Sequence, residues 1–413
     1  MKMNTLLLLL ILAWTLSTEV FAQPPHILVA PILQHTDTNT SLYSITLNGG
    51  EHYIIDFDAP FTWYQCQSPQ FPVGCNYGAC STARTYIPPS CPVNNTFTES
   101  QCYCNDAPVN PITKSCAPSQ MTYKDMVLYW TDGRSLLGAM DFNRLYVSCA
   151  PLSLLQSLPE EVIGVGALSW SSLALPYAFS DLPDQLVARK FALCLPSSSE
   201  ASGAIFFGDG PYNLGPSTDF DAAKVLTYTP LQADPTLLGY YINLAGISIN
   251  GKAMNVPQNS FNVNQSVKLS TIVPYTTLKS NIYKTFIRDF KKAAKGIVQV
   301  TYVDPFRLCF NISTMGSSNN GLHVPQIDLM LGKGEKWTIY SPNSIKQVND
   351  NVGCLAFLDG GETAEQAVVI GTYQIENNLL QFDFNQSRLG FSSSLLPYGA
   401  TCGGFNFTVS GIV

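Results

Sequence analysis

The stretch Tyr53-Ile54-Ile55-Asp56-Phe57-Asp58-Ala59-Pro60-Phe61-Thr62-Trp63 decides how this chain is read. Two apolar residues, Ile54 and Ile55, lead into Asp56, and a tryptophan follows a few positions on. Later, Val267-Lys268-Leu269-Ser270-Thr271-Ile272-Val273-Pro274-Tyr275-Thr276-Thr277-Leu278 has the same outline, with Ser270 where Asp56 stood. An apolar-apolar-glycine segment comes after each: Val162-Ile163-Gly164-Val165-Gly166 after the first, Val368-Val369-Ile370-Gly371-Thr372-Tyr373-Gln374 after the second. The chain therefore carries a weak internal duplication. Asp56 and Asp58 occupy alternate positions, which on a strand share one face, so they could act as a pair if the loop bends both inward.

These segments resemble the two catalytic loops of pepsin-like aspartic proteases, where the pattern is two apolar residues followed by Asp-Thr-Gly or Asp-Ser-Gly. Leu380-Gln381-Phe382-Asp383-Phe384 with Arg388-Leu389-Gly390-Phe391 looks like the final hairpin of that fold. The resemblance implies a mostly β protein with a bilobal pepsin-like (aspartic peptidase family A1) fold, and puts Asp56 and Ser270 at the positions of the two catalytic aspartates. Such enzymes use two carboxylates about 3 Å apart that share one proton across a bound water. A serine hydroxyl can hold a water but has no charge change near working pH, so it cannot alternate between acid and base. Loss of one member of a catalytic unit costs on the order of 10⁴-fold in turnover. Asp58 also replaces the glycine that eases the first loop's turn. The nearest match to the substrate-covering flap of these proteases is Tyr129-Trp130-Thr131-Asp132-Gly133-Arg134, in which Tyr129 reads equally well as an ordinary strand residue. The expectation is a pseudo-protease with no intact catalytic pair.

Within that superfamily the chain is similar to one plant group: the xylanase and xyloglucanase (endoglucanase) inhibitor proteins, the extracellular dermal glycoprotein and the basic 7S globulins. The Leu269-Ser270-Thr271 version of the second loop and the segment Phe191 to Gly208 carry this likeness. The resemblance to the pepsin fold implies that Cys309 pairs with Cys354, and the likeness to this group implies that Cys194 pairs with Cys402. That likeness also implies a partner, a secreted microbial glycoside hydrolase that attacks plant cell walls. Inhibitors of this group place a histidine or arginine before the last cysteine, where a cation can form charge-assisted bonds with the hydrolase's carboxylates. This chain has Pro397-Tyr398-Gly399 there, the candidate inhibitory loop, and Tyr398 offers stacking and one hydrogen bond but no charge. Two other readings stay open: a catalytically dead storage or binding protein, and a divergent endopeptidase built on Asp56 and Asp58.

Composition is consistent with this placement. An apolar run from Leu6 to Leu12 after Lys2, ending near Val20-Phe21-Ala22, reads as a secretory signal over residues 1–22, too short to anchor the chain in a bilayer. The expected location is extracellular, in the apoplast or cell wall. The remaining length exceeds what one core serves, so lobes are expected at 23–213 and 214–413, the first with a disulfide-rich insertion at 66–149. Hydrophobic residues at 46%, charged residues at 12%, 29 Gly and 27 Pro suit a β-rich chain punctuated by turns. Segments such as Ser41 to Leu47 alternate as half-buried strands do. Only Ile282 to Ile297 reads as a helix, with Lys291, Lys292 and Lys295 near its end as a solvated terminus. Between Ala22 and Asp56 there are 33 residues without Lys or Arg, unlike the basic prosegment that restrains an active protease.

Twelve cysteines behind a secretion signal imply about six disulfides. Eight lie between Cys66 and Cys149, and their pairing is open on sequence grounds, except that Cys102 and Cys104 are too close to favour each other. His26, His35, His52 and His323 do not sit at ligand spacing from the cysteine clusters, so neither metal nor cofactor is expected. Sequons occur at Asn39, Asn94, Asn264, Asn311, Asn385 and Asn406, with partial occupancy expected. A net charge of −7 and an isoelectric point of about 5.1 leave the protein nearly neutral in acidic wall fluid. No basic stripe or nucleotide fingerprint points to nucleic acid, and the chain is expected to be a monomer without a membrane partner.

Overall fold

The computed structural model describes residues 27–36, 41–91, 102–181, 187–215, 220–232, 237–257, 260–261, 266–318 and 321–408. The signal segment and the sequons at Asn39, Asn94 and Asn264 lie outside them. The chain is mostly β, with the bilobal pepsin-like arrangement.

Its backbone is a sheet that joins the two halves of the sequence. The strand Ile27–His35 pairs with Gly203–Phe207, which pairs with Lys190–Cys194. That strand pairs with Leu379–Asp383, then come Arg388–Phe391 and Thr227–Gln232. Gly203–Phe207 and Leu379–Asp383 are buried on both faces; the first reads as an unbroken apolar run, and the second carries Gln381 and Asp383, which are bonded to Tyr212 and Arg388. Phe191 and Phe382 stack across the join, ring centres 4.4 Å apart and nearly parallel, which ties the halves through a shared aromatic core.

The strand read from Ser41 to Leu47 forms as Leu42–Leu47, but it is not half-buried. Tyr43, Ile45 and Leu47 enter the main core, while Leu42 enters a second cluster with Ile54, Trp63 and Val165. The polar position between them, Ser44, is buried against His35, Oγ to Nε2 2.7 Å.

The internal duplication is visible in register. Glu51–Asp56 lies parallel to Val162–Ala167, with Asp56 opposite Ala167. Val267–Leu269 lies parallel to Val368–Ile370, which brings Ser270 to Gly371. Thr62 Oγ1 accepts the Ala167 N–H at 3.1 Å, and Thr276 Oγ1 accepts the Gly371 N–H at 3.2 Å. Thr62 follows Asp56, and Thr276 follows Ser270, at the same interval. Ala167, not Gly164, is therefore the counterpart of Gly371, and the sequence match through Gly164 is out of step by three residues. Gly164 has its own reason to lack a side chain: a Cβ there would collide with the Trp63 carbonyl. At Gly371 a Cβ would come within 2.7 Å of the Val273 carbonyl oxygen.

Five disulfides form: Cys66–Cys149, Cys75–Cys102, Cys80–Cys104, Cys194–Cys402 and Cys309–Cys354. Cys91 and Cys116 are thiols in mutual contact, and burial and that contact push Cys91 up to about 11. The segment from Cys66 onward is loop-rich only at first. From Ser119 it becomes a long hairpin, Ser119–Thr131 with Leu136–Ala150, part of the main sheet. The helix spans Ser280–Ala293, burying Ile282, Tyr283, Phe286 and Phe290, and ends short of Ile297 because Lys295-Gly296 turns the chain. Asn385 and Asn406 are exposed, and Asn311 is half-buried with its side chain capping a short turn.

Candidate functional site

Asp56 ends its strand almost fully covered. Its Oδ1 accepts the Asp58 N–H at 2.9 Å. Burial first, and then the Asp58 charge, raise its carboxyl to about 7, while the Asp58 N–H and the charges of Lys114 and Lys268 pull the other way. Asp56 is therefore a group that keeps its proton in mildly acidic water.

Ser270 is equally buried. Its Oγ accepts two backbone N–H groups, from Ile272 and Val273, each at 3.1 Å, so the hydroxyl oxygen is engaged in holding the turn of its own loop. The next residue joins the loops: Thr271 Oγ1 donates to the Ile55 carbonyl at 2.7 Å. By the internal symmetry Phe57 is the counterpart of Thr271, but it makes no such bond. It packs into the aromatic core, 5.1 Å from Phe382 and 5.2 Å from Tyr240.

Asp58 does not turn in to meet Asp56. Its carboxylate meets Lys268 Nζ at 2.8 Å, on the strand that leads into Ser270. Asp58 has no left-handed backbone, so no glycine is demanded at that position. The space for its side chain comes from Gly239, where a Cβ would collide with Asp58 Oδ1. Sequence reading missed both Lys268 and Gly239. Lys268 could have been found, since it stands two residues before Ser270 and shares its strand face.

The hairpin tip read as a flap lies elsewhere. Tyr129 and Trp130 pair with Val29 and Leu28, and the tip is held against Pro211-Tyr212-Asn213, with the Asn213 N–H donating to the Gly133 carbonyl at 2.9 Å. A Cβ at Gly133 would strike Pro211. Tyr129 is a strand residue.

Pro397-Tyr398-Gly399 forms a single turn near the C-terminus, ending with Gly399 in the left-handed region at φ 67°. Tyr398 is 53% exposed and stacks on Phe220, ring centres 5.5 Å apart. The turn is fastened on both sides: the Leu395 N–H donates to the Asn377 carbonyl, Asn377 Oδ1 accepts the Cys402 N–H, and Cys402 bonds Cys194. The turn is anchored to Phe220, Asn377 and Cys194, whereas the Asp56 and Ser270 loops are joined to each other through Thr271 and Ile55. Among the described residues no group of three His, Cys, Asp or Glu is placed to hold a metal ion, and no helix is long and apolar enough to cross a membrane.

Two paired strand-and-loop units, joined across a common sheet with Asp56 and Ser270 at their junction, define a protein of the pepsin-like class. The xylanase inhibitor N-terminal model matches residues 43–209 and the xylanase inhibitor C-terminal model residues 239–393. The chain belongs to the xylanase-inhibitor family. It is 36% identical to the chitinase CLP of Oryza sativa subsp. japonica over 97% of this chain and 96% of that protein. It is 35% identical to gamma conglutin 1 of Prunus dulcis over 87% of this chain and 84% of the relative. The crystal structure of edgp is similar at a TM-score of 0.83 and 33% identity, covering 93% of this chain and 99% of that one.

Proposed function

We propose that this is a secreted, proteolytically inactive aspartic-protease homologue that inhibits a microbial cell-wall-degrading glycoside hydrolase, a xylanase or a xyloglucan-specific endoglucanase, in plant defence. The observation that carries the loss of proteolysis is the fate of the second acid. Ser270 stands in its place, its Oγ held by two backbone N–H groups, while the neighbouring carboxylate of Asp58 is neutralised by Lys268. Asp56 is left as a lone acid, and one carboxyl cannot both take a proton from water and polarise a peptide carbonyl.

Membership of the xylanase-inhibitor family supports a hydrolase as partner. The Pro397–Gly399 turn is the contact we assign. It is exposed, aromatic and locked by a disulfide, so it docks with little ordering cost. A standard interface of about 1,600 Å² around such an anchor reaches nanomolar affinity. The test is a panel of purified xylanases and xyloglucan-cleaving endoglucanases assayed with stoichiometric protein. Loss of hydrolase activity supports inhibition, and an unaffected panel sinks it.

The likeness to a gamma conglutin favours a second reading, a storage or binding protein of the same fold without a hydrolase target. The same panel separates the two. Because one relative is named a chitinase, chitin cleavage by the protein itself belongs among the controls.

A further inference from the structure

A cavity of about 830 Å³ opens beside the Cys66–Cys149 disulfide, lined in part by Tyr64 and Cys66. It lies within the volume range of small-ligand sites. Its wall holds Phe71, which is 65% exposed, with the amides of Gln67 and Gln70 and the hydroxyl of Ser68 around it. An exposed ring face edged by neutral hydrogen-bonding groups suits the apolar face and hydroxyl rim of a sugar.

The wall carries two cations, Lys124 and Arg144, and one carboxylate, Asp125, and Arg144 is the cation whose charged head has no acid partner among the described residues. It is an arginine with φ 59°, in the left-handed region that side chains other than glycine seldom adopt. That conformation is held by its own N–H, which donates to Asp125 Oδ1 at 2.8 Å. The guanidinium lies over the Tyr123 ring, 4.4 Å from its centre, and has no carboxylate partner among the described residues. The other cation of the wall, Lys124, is paired with Glu51 at 3.1 Å. A strained backbone that fixes an unpaired, planar cation over an aromatic ring is the kind of local cost that function maintains.

Arg144 also lines a second cavity, of about 600 Å³, with Tyr146, Tyr177 and Arg189. Arg189 there is offset by Asp181 at 3.8 Å. Two adjoining cavities that share one arginine fit a chain of rings better than a single small acid.

We propose that this paired cavity binds an acidic oligosaccharide, with a hexuronate carboxylate on the Arg144 guanidinium and an adjacent ring against Phe71. The site is separate from the Tyr398 turn and does not depend on hydrolase inhibition. The test is isothermal titration calorimetry of the whole mature protein with tri-galacturonate at pH 5.5 and low salt, against xylotriose and monomeric galacturonate. Saturable binding of tri-galacturonate is expected, weaker by about tenfold or more in Arg144→Gln, weaker in Phe71→Ala, and unchanged in Tyr398→Ala. Thermal melts check that each variant is folded, and Phe71→Ala reads the same site if Arg144→Gln is not. Absence of saturable binding, xylotriose bound as tightly as the uronate, or affinity indifferent to Arg144→Gln in a folded sample each overturn the proposal.

Discussion

Lys268 Nζ lies 2.8 Å from Asp58 Oδ2, and this contact separates the two acids of the first loop. Lys268 also acts on Asp56, holding its raised carboxyl lower than burial alone would. In Lys268→Met the Asp56 carboxyl therefore rises further, which carboxyl NMR titration reads. Because both partners are partly exposed, the stability lost is modest, about 0.5–1 kcal/mol in denaturant unfolding. A downward move of Asp56 would refute the electrostatic account.

Thr271 makes a side-chain bond between the loops from one side alone. Its Oγ1 donates to the Ile55 carbonyl in a fully buried setting. Thr271→Val keeps the shape and strands that carbonyl, with an expected cost of about 1–3 kcal/mol. Thr271→Ser, which keeps the donor, should recover most of it in the same unfolding experiment. Equal losses in both variants would mean the methyl packing, not the bond, is what counts.

Three buried acids give the protein a pH dependence. Asp56, Asp106 and Glu376 are each raised to about 7, with burial the largest cause in every case. Asp106 accepts from Ser148, and Glu376 accepts from Tyr43, each at 2.7 Å. In the unfolded chain these acids ionise near pH 4. The folded state thus binds more protons between about pH 4 and 7, so stability is full below that window and is lost as pH rises through it. Each acid contributes at most about 1.4 kcal/mol per pH unit there. Melting temperature should fall from pH 4.5 to 7.5, and Asp106→Asn should flatten the slope. A melting temperature that climbs across this range contradicts the burial argument.

The fold was legible because it rests on local patterns that survive without context: the apolar lead into Asp56, its repeat at Ser270, and the Leu380 to Phe391 hairpin. What sequence could not supply were relations across the chain. Asp58 looks misplaced in a turn until Gly239, distant in sequence, makes room for it and Lys268 neutralises it. The register of the repeat is hidden in the sequence because Gly164 and Gly371 are both glycines for steric reasons, one against Trp63 and the other against Val273 to Tyr275, at positions that do not correspond. Tyr129 to Arg134 resembled a flap in composition, but the docking of its tip depends on Pro211, which no local pattern reveals.

Cys91 and Cys116 stand in contact as thiols, while the other ten cysteines are paired. In an oxidising compartment they should close a sixth bond. Peptide mapping without reduction is expected to recover a Cys91–Cys116 link and no alkylated thiol. Closing a loop of that length is worth about 3 kcal/mol through the unfolded state, which Cys91→Ser/Cys116→Ser would lose in unfolding measurements. Two alkylated cysteines in the secreted protein would show that the pair stays reduced.

Tyr398 is the last test, because it bears on how an inhibitor of this family could work without the cation its loop lacks. Its ring is 53% exposed and already stacked on Phe220, so binding a hydrolase requires little new ordering of that side chain. Tyr398→Ala removes the stack and one hydroxyl donor but no charge, and its neighbours on the turn keep their positions through Asn377 and Cys402. The expected effect on inhibition is a rise in the inhibition constant of up to about tenfold, mostly through faster dissociation. Tyr398→Arg should bind more tightly to a hydrolase whose paired carboxylates lie open, and should make inhibition more salt-sensitive. If neither variant alters inhibition of a hydrolase that the parent protein blocks, the contact lies on another surface and the Pro397–Gly399 turn is only a structural corner.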